Sequence, residues 1–417
     1  MQLQTILNRI AKFKSFVYRQ VRWAGTETSP TLIVTVVGRA NSRSICSGCH
    51  KPAPRYDRGQ TRLFEYVPMW GISVFFEYAR WRVHCCRCGV RVEVLPWAEG
   101  KNTLTTTYMH FLAAWARRLS WKEVAEVFRT SWGKVFRSVQ WMVQWGLAHR
   151  DVSDVTSIGV DEVLVHRGHK FATVVYQIDE HRRRLLWVGQ HRTVKTFMKF
   201  FREFGKENTQ RLRFICSDMW KPYLKVIAKK ASGAIHVLDR FHIMMHMNKA
   251  IDEVRAQEVK ALKAKNCEPI LTHSRWCLLK RKENLTAKQV VKLKELLQYN
   301  LKVMRSYLLK EQFQFFWEYT YPFWAGVFLD QWCQQVMRSK IEPMKKVARM
   351  LRSHRGLLLN WFRARKKISS GAIEGLNAKL KLTMRKSYGF RTYETLEVAL
   401  YHTLGDLPEP EFTHRFW

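Results

Sequence analysis

Three carboxylates sit where a charge needs a reason. Asp161 lies inside the apolar run Ser-Ile-Gly-Val-Asp-Glu-Val-Leu-Val of residues 157–165, and Asp218 closes the run Leu-Arg-Phe-Ile-Cys-Ser. Glu374 is the one early acid in residues 369–396, a stretch crowded with Lys379, Lys381, Arg385, Lys386 and Arg391. An uncompensated carboxylate inside an apolar strand is costly, and a metal ion removes that cost. Alternation along a strand sends Glu162 to the face opposite Asp161, so Glu162 is expected to play a structural or supporting part. Carboxylate oxygens suit Mg²⁺ or Mn²⁺. Two such ions about 3.5–4 Å apart activate an attacking oxygen and stabilise a leaving oxygen in phosphodiester chemistry. By itself Glu374 reads as a salt-bridge partner; taken with the other two acids it reads as the third ligand. Asn377 shares its helical face and Lys381 follows one turn later, so the amide and the cations could hold phosphates beside the acid.

The cysteines carry a second chemistry. Five of the nine fall between residues 46 and 88, as Cys46-Ser-Gly-Cys49 and Cys85-Cys86-Arg87-Cys88. Each C-x-x-C knuckle presents two thiolates, and two knuckles complete one tetrahedral structural Zn²⁺ site. The segments Arg-Leu-Phe-Glu-Tyr-Val-Pro-Met and Ser-Val-Phe-Phe-Glu-Tyr-Ala-Arg-Trp-Arg-Val-His-Cys flank Trp70-Gly71. Pairing them as a hairpin brings the knuckles together. Cys86 is then a bystander, with His50 and His84 as substitute ligands.

The elements that must position the acids follow from periodicity. From residue 157 three strand-like runs form a meander. A helix, a strand closed by Asp218, a second helix and the strand Ala-Ile-His-Val-Leu-Asp follow. This β-β-β-α-β-α-β order is that of the ribonuclease H fold. Its right-handed crossovers place the first and fourth strands side by side, so Asp161 and Asp218 can converge. Glu374 must return to that sheet from 156 residues beyond Asp218, which requires an inserted domain. Residues 245–365 read almost entirely as helices, with the aromatics of residues 312–332 expected mostly in the core.

Between the cysteines and the sheet lie three helices with tight joins. Ser120 and Glu123 form a capping box, and Thr130 or Ser131 can cap the third helix. A helix-turn-helix with Lys134, Arg137, Gln140 and Gln144 facing the major groove fits this pattern. So does a purely structural three-helix module, since Trp132, Phe136, Val139 and Val143 would be core in both. Composition favours the former: 72 Lys+Arg against 34 Asp+Glu give a net charge of +38, the signature of a polyanion partner, nucleic acid first. No apolar run approaches a membrane span and nothing reads as an export signal, so a reducing, cytoplasmic and nucleoid-associated setting without a membrane partner is expected.

Taken in order, Gly-Val-Asp-Glu-Val, Ser-Asp-Met-Trp-Lys-Pro-Tyr, Val-Leu-Asp-Arg-Phe-His-Ile, Ser-Ser-Gly-Ala-Ile-Glu-Gly-Leu-Asn-Ala-Lys-Leu-Lys and Arg-Lys-Ser-Tyr-Gly-Phe-Arg-Thr-Tyr-Glu-Thr-Leu give a firmer reading. With the two knuckles and the helix-turn-helix ahead of them, these blocks resemble the ISL3 group of bacterial insertion-sequence DDE transposases along nearly the whole chain. The resemblance implies Asp161, Asp218 and Glu374 as catalytic metal ligands, and an enzyme that cuts element ends and joins their 3′-hydroxyls to target DNA. It also implies that Asp239 and His242 support the active site, although Asp239 is as readily a helix cap with His242 packed beneath it. The expected architecture is a multidomain α+β protein. Residues 1–96 hold a zinc ribbon (about 40–96), 97–152 a helix-turn-helix, and 153–244 the first part of a ribonuclease H-like catalytic domain. Residues 245–365 form the helical insertion, and 366–417 return to the catalytic domain with Glu374. Expected cofactors are two Mg²⁺ or Mn²⁺ ions and one structural Zn²⁺. Expected partners are the element ends and target DNA, bound by a homo-oligomer, a dimer or higher, with Asn377, Lys381, Arg385 and Arg391 on the DNA. The alternatives are a nuclease that cleaves without joining and a non-catalytic DNA-binding regulator.

Overall fold

The computed structural model describes residues 3–166, 170–266, 270–365, 371–387 and 389–411. It is a multidomain α+β protein in two compact units: one runs up to residue 151 and resumes at 380, and the other spans 152–379. Cys267, the turn at 167–169 and the Ser-Ser turn before Glu374 lie outside the described residues.

In the first unit, α1 (Leu3–Ile10) precedes β1 (Phe16–Thr26) and β2 (Ser29–Gly38), then the two-residue strands β3 (Ser44–Ile45) and β4 (Pro52–Ala53). The long β5 (Arg55–Met69) and β6 (Ile72–Cys85) turn through Trp70-Gly71, and β7 (Gly89–Val92) folds back on β6. The sheet order is β1-β2-β6-β5, and Phe64, Val74, Phe76 and Tyr78 pack around Trp97 on its buried side. This is the hairpin that the alternating apolar residues around Trp70-Gly71 predict. Three helices follow, α2 (Thr106–Trp115), α3 (Trp121–Val127) and α4 (Trp132–His149). Ser120 and Glu123 satisfy each other's backbone N–H at the start of α3, while Ser131, not Thr130, caps α4 by accepting from Lys134 N–H. Val139 and Val143 are core as expected. Trp132 is 47% exposed: it sits in the first turn of α4 and stacks on Phe136 instead of entering the interior.

The second unit opens with β8 (Ser157–His166), β9 (Lys170–Ile178) and β10 (Arg183–Gln190), paired antiparallel in sequence. Next come α5 (Val194–Phe204), α6 (Lys206–Arg211), β11 (Phe214–Ser217), α7 (Lys221–Lys230) and β12 (Ile235–Leu238). The order β10-β9-β8-β11-β12, with β8, β11 and β12 parallel, sets the first and fourth strands side by side. On α5, Phe197, Phe200, Phe201 and Phe204 recur at i, i+3, i+4 and i+7, and all four are buried in the sheet's core. Each such ring contributes about 1.5–3 kcal/mol by leaving water.

The helical region begins at Arg240, earlier than residue 245, because the Asp239 carboxylate caps α8 (Arg240–Ala264) at the very end of β12. Then come α9 (Arg275–Leu279), α10 (Ala287–Leu297), α11 (Lys302–Gln314), α12 (Pro322–Arg338), α13 (Glu342–Ser353) and α14 (Arg355–Arg363), sharing one apolar core. The aromatics expected there divide: Phe313, Phe316, Trp317 and Trp332 are buried, whereas Phe315, Tyr321, Phe323 and Trp324 are more than half exposed. The chain re-enters as α15 (Gly371–Lys386).

From residue 380 onward the chain belongs to the first unit, so the segment 366–417 is divided, not wholly part of the second. The reason is its partners: α16 (Tyr393–Leu404) packs along α4, Glu394 accepts from Gln140, and Glu409 engages His110 and Arg117.

Candidate active site

Strand register sets the level of the acids. Cys216 pairs with Gly159, and two residues further on lie Asp218, just past the end of β11, and Asp161, inside the adjacent parallel strand β8. Gly159 also lets α15 come close, because a Cβ there would lie 2.6 Å from Ile373 Cδ1. One turn after Ile373, Asn377 donates to Asp161 Oδ2 and accepts from the buried Tyr176 hydroxyl at 2.9 Å. The other Asp161 oxygen accepts from the Glu162 N–H at 2.7 Å. Burial nonetheless dominates and raises the Asp161 pKa, the backbone and Asn377 hydrogen bonds opposing it. Asn377, expected to hold phosphate, is instead a buried brace between carboxylate and tyrosine.

Glu162 points away from Asp161, as alternation requires, into a second polar cluster. Burial pushes its carboxyl up to about 7 despite Arg192, whose Nε lies 2.5 Å from Glu162 Oε1. The same guanidinium reaches within 3.8 Å of Asp218 Oδ2 and lies 4.3 Å above the Trp220 ring. Its direction comes from the preceding residue. His191 has φ of 73°, a rare conformation for a non-glycine residue. It is pinned by its N–H donating to Phe171 O and its carbonyl accepting from Thr173 Oγ1, both at 2.9 Å. Asp218 is oriented by the Trp220 N–H at 3.0 Å.

Asp239 makes two side-chain contacts. One oxygen caps α8 through Phe241 N–H at 2.7 Å, and the other meets His242 Nδ1 at 2.9 Å. That hydrogen bond raises the His242 pKa against the effect of burial, with Asp161 and Asp218 adding attraction. His242 thus shares the field of the two strand acids. Glu374 is exposed on α15 at the rim of a cavity lined by Arg240, Phe241 and Trp317. Among the described residues, the three acids are not gathered within the few ångströms that one ion spans; that closeness occurs for the cysteines alone.

Cys46, Cys49, Cys85 and Cys88 place their sulfurs within 4.8 Å of one another, with Cys49 and Cys85 3.5 Å apart. Tetrahedral Zn–S bonds of about 2.3 Å put sulfurs roughly 3.8 Å apart, so this donor set fits zinc. Backbone N–H groups of Arg87 and Cys88 lower the Cys85 thiol to about 6, and a Cβ on Gly48 would come within 3.0 Å of Cys88 Sγ. His50 and His84 are not members of the cluster, and Cys86 is exposed.

Of the residues expected on DNA, Arg137, Gln144, Lys381, Arg385 and Arg391 are exposed. Lys134 is turned to the buried Glu65 at 2.6 Å, and Gln140 to Glu394 at 2.6 Å. Sequence reasoning missed Arg192. Among 72 Lys+Arg its only local mark is its place between a strand and the helix cap Thr193.

Comparison with known proteins agrees with this arrangement. Residues 158–400 match the ISL3-type DDE transposase family, described as "Transposase". The chain is 28% identical over 354 residues to the transposase for insertion sequence element IS1001 of Bordetella parapertussis, covering 84% of this chain and 86% of that protein. It is 27% identical over 400 residues to the transposase for insertion sequence element IS1557 of Mycobacterium tuberculosis (strain CDC 1551 / Oshkosh), covering 89% and 88%. With a family match over more than half its length, the chain belongs to the ISL3 family of DDE transposases.

Proposed function

We propose that this transposase cuts DNA at the ends of its element and joins the freed 3′-hydroxyls to target DNA, using Asp161, Asp218 and Glu374. The observation that carries the reading is the pair Asp161 and Asp218 on adjacent parallel strands, with burial raising the Asp161 pKa against the attraction of His242. The donor set suits hard divalent ions: carboxylate oxygens with backbone N–H and amide groups behind them. Two Mg²⁺ or Mn²⁺ ions, when bound, supply the positive charge that an attacking hydroxyl and a departing oxyanion need. Asn377 and Tyr176 fix the Asp161 carboxylate, Arg192 and Trp220 fix Asp218, and Asp239 orients His242 to donate toward a phosphate oxygen. Glu374 completes the set from the rim, one residue beyond the Ile373 contact that docks α15 on the sheet.

In the same reading the second unit's sheet is ribonuclease H-like, with residues 245–365 its helical insertion. Cys46, Cys49, Cys85 and Cys88 hold a zinc ribbon, and α3 and α4 form a helix-turn-helix in which Arg137 and Gln144 are free to meet bases. Lys381, Arg385 and Arg391 serve the DNA backbone, and two or more protomers pair the element ends in the nucleoid. No helix among the described residues is long and apolar enough to cross a membrane. Incubating the purified protein and Mg²⁺ with a labelled element end tests the chemistry. Cleavage followed by joining supports the proposal, cleavage alone reduces it to a nuclease, and no reaction with intact DNA binding leaves a DNA-binding regulator.

A further inference from the structure

A cavity of about 850 Å³ in the second unit opens among α8, the α9–α10 connection and α11, with Glu374 on its rim. Its walls are unusual for a helical core. Phe241 is 53% and Met245 45% exposed, although both stand on α8 beside apolar neighbours that are fully buried. Trp317 lies in the wall under the Arg240 guanidinium, 5.0 Å from its ring centre, and the same guanidinium donates through Nη2 to Gln314 Oε1 at 3.1 Å. The wall residues Arg240, Asn248 and Trp317 each keep one polar atom buried without a hydrogen-bond partner among the described residues. Small rotations of these side chains would let a ligand's polar edge meet them. The lining carries four cations and four carboxylates. A balanced wall does not select an anion. It suits a neutral, flat, aromatic group with hydrogen-bonding edges, carried on a strand whose phosphates stay outside near Arg281 and Lys282.

We infer that this cavity takes a single unpaired DNA base, stacked on Phe241 with its edge toward Asn248 and Trp317. A nucleotide fits the volume with room for water. Base stacking on aromatics is tolerant of sequence, so the cavity would hold any base displaced from the duplex next to Glu374. The assignment rests on DNA as the substrate and not on the roles of the three acids. It is therefore tested without divalent metal, where the failure of one reading does not carry over to the other.

The test uses the full chain in EDTA and a fluorescein-labelled generic duplex, either fully paired or carrying one unpaired central adenine. The bulged duplex is expected to bind about tenfold tighter, the effect of stacking one base. Phe241→Ala should remove most of that preference while leaving the paired duplex unaffected. With 2-aminopurine at the unpaired position, the wild-type protein should quench its fluorescence on binding. Equal affinity for the two duplexes, a preference that survives Phe241→Ala, or an unquenched probe on the bound wild-type protein would each overturn the inference.

Discussion

Two pairs of carboxylates, one pair in each unit, are compensated to different degrees. In the first, Glu409 is held by His110 and Arg117, and the His110 hydrogen bond leads in lowering its pKa to about 2; the buried Glu93 accepts from Tyr78 and from Trp81 N–H, each at 2.7 Å. In the second, burial raises Asp161, and lifts Glu162 to about 7 even with Arg192 beside it. The partners of Glu409 outweigh its burial, whereas for Asp161 and Glu162 burial outweighs the partners they have. Burial that outweighs its compensation is the pattern expected of the cation site proposed above.

The sharpest way to break this contrast is to remove the charge. Asp161→Asn, Asp218→Asn or Glu374→Gln is expected to lower DNA cleavage by more than about 10³-fold, beyond the loss of a single transition-state hydrogen bond. DNA binding should persist. Asp161→Asn should also melt higher than the wild type in metal-free buffer, since it removes an uncompensated buried charge. Robust cleavage by these variants would end the triad assignment.

The cysteine cluster offers the next largest effect. Zinc analysis should give one ion per chain in the wild type and none in Cys46→Ser or Cys88→Ser. Apparent zinc affinities of about 10–16 kcal/mol in small domains mean that the ribbon around β6 and β7 should lose order with it. Recognition of element ends should weaken more than the chemistry on pre-cut DNA. A zinc-free wild type would refute the site.

A smaller effect is expected at His242. His242→Ala should slow cleavage by about 10²-fold, and His242→Gln should recover part of the rate because an amide also donates. Unchanged cleavage by the alanine variant would leave Asp239 only its capping task.

The smallest effect belongs to the compensated acid. A carboxyl with a depressed pKa adds stability above its unfolded value, near 4.5, and that stability is lost as pH falls toward about 2. Glu409→Gln should therefore cost about 1 kcal/mol at neutral pH, allowing for solvent screening of this part-exposed pair. Denaturant melts of variant and wild type should converge as the buffer is acidified. A gap that does not narrow would mean that Glu409 acts by shape and not by charge.

What the sequence reveals of this molecule follows the reach of its signals. Alternating apolar residues and the order of elements suffice for the five-stranded sheet and the level of Asp161 beside Asp218. A capping box four residues long suffices for α3. The rotation of α15 is different, since it is set by Ile373 entering the space above Gly159, and that contact turns Asn377 inward and leaves Glu374 on the rim. Arg192 is invisible for the same reason: it depends on a left-handed His191 held by β9. Nothing local in α16 names its partner, so its place against α4 had no mark in the sequence.

That last placement bears on how the protein is made. Glu409 meets its partner His110 across 299 residues, and Glu394 meets Gln140 across 254. The groups that lock α2 and α4 are thus synthesised after every residue of the second unit. At ribosomal speeds of about 5–20 residues per second, the early helices wait many seconds for them. The unit that begins first finishes last, and a nascent chain holds α2 and α4 unlocked until the sheet of the second unit has been fully synthesised.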